Sequence, residues 1–169
     1  GVQTCALPIL YFRNANGKGK RYSLFSGTRS EEFFFSKPHF MGENGYLIVA
    51  SDRILQFSPE SGFRELCTYN EVKEAFPHAT FPVCSYNDGD SALWIGTKYG
   101  GILHYSLSAD RLTLYEHDSK HPSAGPLHNS WFFSFCKNGT VLYYGYEEGI
   151  GAVDLRNKRF FTPDFAGLV

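Results

Sequence analysis

Short apolar runs separated by turn-forming residues recur along the chain, and within each run the side chains alternate with the period of a strand. Leu93-Trp94-Ile95, a turn from Gly96 to Gly101, and Ile102-Leu103-His104-Tyr105 together read as a hairpin. Leu47-Ile48-Val49-Ala50 with Ile54-Leu55-Gln56-Phe57 repeats the plan upstream, and Leu142-Tyr143-Tyr144-Gly145 with Ile150-Gly151-Ala152-Val153 repeats it downstream. Ile54, Ile102 and Ile150 lie 48 residues apart, as do Phe57, Tyr105 and Val153. A period of that length, holding several short strands, is that of a four-stranded propeller blade. The predicted class is all-β: a β-propeller fragment of about three four-stranded blades plus part of a fourth.

The partial blade is expected over residues 10–25, where Leu10-Tyr11-Phe12 and Arg21 to Phe25 flank a turn. Full blades are expected over approximately 33–69, 80–117 and 130–162. Phe33-Phe34-Phe35 and Phe40 fall in the innermost strand of the first. Asn44-Gly45, Ser61-Gly62 and Asn138-Gly139 mark turns, the last with the Asn-Gly preference of a type I′ hairpin. Glu71 to Phe76 suits one or two helical turns. The long connections, Asn70 to Thr80 and Asp118 to Ser130, join an outer strand to the next inner one, and long loops on a rigid repeat scaffold are where binding surfaces form. Ala50, Gly96 and Gly145 read as one repeated small-residue position, which predicts close approach between blades.

Composition narrows the function classes. Aromatic residues make up 17% of the chain and 17 glycines punctuate it, which fits short strands better than a helical bundle. A net charge of −1 leaves no footprint for nucleic acid or an anionic membrane, and no apolar run approaches the roughly 18 residues of a spanning helix. The first nine residues, GVQTCALPI, look like a translated sequencing adapter, so native sequence is expected from residue 10 and the propeller is expected to be incomplete. Setting Cys5 aside with that segment leaves Cys67, Cys84 and Cys136, at non-equivalent repeat positions, which reads as three buried thiols.

Several motifs have simpler explanations. The Gly17-Lys18-Gly19-Lys20 run lacks phosphate-loop spacing and reads as a hairpin turn. His117 and His121 have metal-ligand spacing only on a helix, and they sit in a loop; no metal and no cofactor is expected. Glu147-Glu148 is the best acidic pair, but neighbours in a strand-end turn diverge, and no Ser, His, Asp arrangement accompanies them; catalysis is not expected. The candidate ligand-binding residues are Lys98 and Tyr99 in the second hairpin turn, Tyr146 and Glu147 in the third, and His128, Asn129 and Trp131 leading into the third blade. Aromatic rings beside hydrogen-bonding groups suit sugars, whose faces offer C–H patches next to hydroxyls. For Trp131 the stronger reading is core filling, the common fate of a tryptophan opening an inner strand.

Asp88 to Thr97, Gly100 to Tyr105, Leu114-Tyr115 and the Gly125-to-Trp131 lead-in resemble the two-component-regulator propeller repeat, with Leu93-Trp94-Ile95-Gly96-Thr97 the most specific piece. The third unit departs at Tyr143-Tyr144-Gly145-Tyr146, and the first departs further. The resemblance implies the periplasmic sensor region of a hybrid histidine kinase. It further implies an oligosaccharide or other small ligand, a kinase module elsewhere in the full-length chain, and control of utilisation genes. A homodimer is compatible with it, and a protein-docking platform or a propeller lyase or hydrolase are the rival readings.

Overall fold

A computed structural model of the chain describes residues 9–13, 16–23, 38–50, 53–75, 77, 82–89, 92–115 and 131–164. Its described elements are strands apart from one short helix and a single 3-10 turn at Gly42–Asn44. Ile9–Arg13 (β1) and Gly19–Ser23 (β2) form a two-stranded antiparallel sheet. Three four-stranded sheets follow. Blade I contains His39–Phe40 (β3), Tyr46–Val49 (β4), Arg53–Ser58 (β5) and Gly62–Thr68 (β6), after which Tyr69–Ala75 forms a helix (α1). Blade II contains Pro82–Asn87 (β7), Ala92–Thr97 (β8), Ile102–Ser106 (β9) and Arg111–Tyr115 (β10). Blade III contains Phe132–Asn138 (β11), Val141–Tyr146 (β12), Gly149–Asp154 (β13) and Arg159–Phe161 (β14).

Each blade is an antiparallel meander, and alternation along its strands sends one set of side chains toward each neighbouring blade. Leu47, Val49 and Ile54 of blade I thus meet Leu93, Ile95, Leu103 and Tyr105 of blade II in one core, with Val72 of α1 beside them. The opposite face of blade II, carrying Trp94 and Ile102, meets Phe132, Leu142, Tyr144, Val153 and Phe160 of blade III in a second. The three register isoleucines differ in cover: Ile54 is 4% exposed, Ile102 0% and Ile150 48%, because no described residue packs over the far face of blade III. No helix among the described residues is long and apolar enough to cross a membrane.

The 48-residue register also governs the backbone. Gly62, Asp110 and Lys158 occupy the same turn, between the third and fourth strands of successive blades, and all three are left-handed, at φ 81°, 45° and 58°. Glycine takes that conformation freely, whereas a side chain there costs about 1–2 kcal/mol. Asp110 and Lys158 each make a compensating contact. The Asp110 carboxylate accepts a 2.5 Å hydrogen bond from the hydroxyl of Tyr105, and the Lys158 ammonium lies 4.9 Å from the ring centroid of Trp94.

Four expectations need correcting. Ile54 pairs with Val49, just as Ile102 pairs with Gly96 and Ile150 with Gly145, so Val49 and not Ala50 is the counterpart of the two glycines. The β4–β5 connection, closing through Ala50 N to Arg53 O at 2.8 Å, matches β12–β13 in length, and Ala50, one residue beyond the paired Val49, falls on the other face. Close approach does hold at Gly96, where an added Cβ would lie 2.5 Å from Phe132 Cβ and 2.6 Å from Cys84 Sγ. The second correction concerns Asn138-Gly139: Asn138 pairs with Val141, so the turn residues are Gly139 and Thr140, and only Gly139 is left-handed, which rules out type I′. Third, Cys136 is exposed on β11, while Cys67 and Cys84 are half-buried; all three are free thiols. Burial pushes the Cys67 thiol up to about 11 and that of Cys84 up to about 12, so both stay protonated. The fourth, Trp131, belongs with the site below.

Candidate functional site

The β8–β9 turn is built to hold its tip away from the blade. Thr97, fully buried, donates its hydroxyl to Gly101 O at 2.7 Å, and its amide donates to the same oxygen at 3.2 Å. Gly100 and Gly101 take φ values of 130° and 95°, closed to most side chains, and the chain reverses there within a buried base. Lys98 and Tyr99 are left at the tip, with Tyr99 41% exposed.

Trp131 reaches the same place from the next blade. It directly precedes β11, whose first residue, Phe132, is buried against Tyr144 and Tyr146 at ring distances of 5.7 and 6.3 Å. Phe132 therefore fills the core position expected for the tryptophan. Trp131, one residue earlier, is 36% exposed. A bulge between Phe132 and Ser134 breaks the alternation here, so Phe132 and Phe135, and not Trp131, pack against the same core. Its carbonyl accepts a hydrogen bond from Glu147 N at 3.1 Å, tying the β12–β13 turn of blade III to the same spot.

Lys98, Tyr99 and Trp131 make a corner. The two rings stand edge to face, with centroids 6.0 Å apart and planes at 70°. The Lys98 ammonium sits over both, 4.5 Å from the Trp131 centroid and 5.5 Å from that of Tyr99. Such contacts contribute about 0.5–1 kcal/mol at exposed positions, enough to order the lysine without immobilising it.

The structure thus brings together Lys98, Tyr99, Trp131 and the backbone of Glu147. Tyr146 stands apart from them: its ring packs 5.9 Å from Tyr144 in the interior between blades II and III. His128 and Asn129 lie outside the described residues, as do the histidine pair His117 and His121 and the Phe33-Phe34-Phe35 run. Among the described residues, no three His, Cys, Asp or Glu side chains gather as metal ligands would.

A second cluster, at the opposite end of the same two blades, went unnoticed in the sequence. Trp94 is fully buried, and its indole N–H has no partner. His104 lies 4.4 Å and Tyr115 5.6 Å from its ring. Beside them Lys137 of blade III pairs with Asp88 of blade II. Burial, followed by the charge of Lys158, lowers the His104 imidazole to about 4, so it is neutral near pH 7. Nothing in the local pattern around Lys158 signals this arrangement, which exists only because a left-handed turn aims that side chain at the neighbouring blade.

No protein-family model matches the chain, and no curated protein does. Solved structures do match in fold. The extracellular domain of BT4673 from B. thetaiotaomicron, described there as a one-component system, aligns with a TM-score of 0.57 over 82% of this chain and 16% of its own, at 20% identity. The extracellular domain of BT3049, described as a hybrid two-component system of the same organism, aligns at 0.57 over 79% of this chain and 18% of its own, at 14% identity. A structure of BT4673 described as a hybrid two-component system gives 0.55 over 83% and 17%, at 18% identity. The chain therefore spans less than a fifth of each of these domains. The likeness establishes the fold, a β-propeller segment.

Proposed function

We propose that the chain is a ligand-sensing segment of an extracytoplasmic β-propeller. It binds an oligosaccharide without transforming it and biases a kinase module in another part of the full-length protein toward or away from its active state. The observation that carries this reading is the corner of Lys98, Tyr99 and Trp131. Two exposed rings from different blades meet beside a hydrogen-bond donor, which matches the alternation of C–H faces and hydroxyls on a sugar. A site shared by two blades can couple to conformation, because a ligand that bridges them favours one blade-to-blade arrangement over another. The extracellular domains of one- and two-component systems that share the fold support the extracytoplasmic placement and the regulatory role; the output we propose is transcription of utilisation genes.

Titration calorimetry on the full-length protein with plant, host and microbial glycan fragments tests the reading. Binding of at least one fragment that is lost in Trp131→Ala is the expected result. Absence of heat across the whole panel would overturn the sugar assignment.

A further inference from the structure

We infer that the sugar taken by this corner is an acidic one, carrying a carboxylate or sulfate substituent that pairs with Lys98; the inference rests on the oligosaccharide reading above. An ammonium group has three donors and no acceptor, so among sugar substituents it discriminates most strongly in favour of anions. Lys98 is positioned for that task. Among the described residues it makes no ion pair; its contacts are the faces of Tyr99 and Trp131. Glu147, although joined to Trp131 through its backbone, forms no salt bridge with Lys98.

Several other cations of the three blades are already engaged. Lys137 is matched to Asp88, Arg53 to Glu65 and Arg156 to Asp154. Lys158 is spent on the Trp94 ring inside the blade interface. Lys98 is the cation that stands between two exposed rings with its charge uncompensated. A pyranose stacked on Tyr99, or on the uncovered part of Trp131, brings a ring substituent to the ammonium. The lysine loses little in turning toward it, because contacts with exposed rings are weak beside a charge-assisted hydrogen bond.

The experiment compares fragments of matched length on the full-length protein. Oligogalacturonates supply carboxylates, kappa-carrageenan fragments supply sulfate without carboxylate, and neutral galacto-oligosaccharides supply neither. An acidic fragment should bind at least about tenfold more tightly than the neutral one, with the advantage shrinking as salt is raised. Which acidic arm binds identifies the anion. Lys98→Gln should erase the advantage and its salt dependence, and Lys98→Arg should retain most of it. Equal binding of neutral and acidic fragments, or an acidic preference that survives Lys98→Gln, overturns the inference while leaving the sugar reading intact. Silence from both acidic arms overturns the inference, and silence from the whole glycan panel overturns the sugar reading with it.

Discussion

The two blade interfaces are made of different materials. Between blades I and II the core is nearly all aliphatic, with Leu47, Val49 and Ile54 against Leu93, Ile95 and Leu103, and its one aromatic ring, Tyr105, keeps its hydroxyl bonded to Asp110. Between blades II and III the core is aromatic, with Trp94, Phe132, Tyr144 and Phe160, and its margin carries His104, Lys158 and the Lys137–Asp88 pair. The aliphatic interface depends on shape and area. The aromatic one also depends on charge and protonation, and the exposed corner of Lys98, Tyr99 and Trp131 sits on its rim.

Truncation should separate the two most strongly. Trp94→Ala is expected to cost about 3–5 kcal/mol and Leu93→Ala, from the same strand but the other face, about 2–5, as measured by denaturant unfolding of the full-length protein. A Trp94 variant that unfolds later than the Leu93 variant would break the contrast. Next comes overpacking. Gly96→Ala drives a methyl into Phe132 and Cys84 and should cost about 1–3 kcal/mol, whereas Gly145→Ala, whose tightest neighbour would be Ser134 Oγ at 3.1 Å, should be nearly neutral. Equal melting temperatures for the two would remove the claim of unequal crowding.

The left-handed turn offers a finer probe. Lys158→Ala keeps the backbone strain and loses the ring contact; Lys158→Gly loses the contact but relieves the strain. The glycine variant should therefore be the more stable by about 1 kcal/mol. The reverse order would show that the backbone is not under strain.

The smallest effect expected is in pH. His104 is held below its unfolded value of about 6.5, at about 4 when folded, so the unfolded chain binds more protons between those limits. Its contribution is whole above about pH 6.5 and is lost as pH falls toward 4. Lys158 and Arg111 add to the lowering, and Asp88 opposes it. The melting temperature should drop between pH 7 and 5, and His104→Gln should flatten that part of the profile. An unchanged slope in the variant would assign the acid sensitivity elsewhere.

Strand order and blade repeat were legible because alternation and the 48-residue spacing are local and periodic: Ile54, Ile102 and Ile150 pair at the same rung of each blade. What failed did so at strand ends, where that periodicity stops. Val49, not Ala50, stands on the rung of Ile54, and with the β11 bulge it is Phe132 rather than Trp131 that enters the core. Lys98 and Tyr99 were found because the repeats differ there. Their meeting with Trp131 could not be read, since it depends on how two blades pack. The same is true of Trp94 with Lys158.

Gly62, Asp110 and Lys158 share no chemistry, yet they bend the chain in the same way at the same point of three successive blades. The repeat thus persists as a dihedral angle after it has faded as a letter. Comparisons that score letters lose such a unit early, while comparisons of shape still recover it at 14–20% identity. Anyone building a regular array from these blades could write glycine at all three turns, and would then have to supply anew the two side-chain anchors that this chain has drawn from its own strained positions.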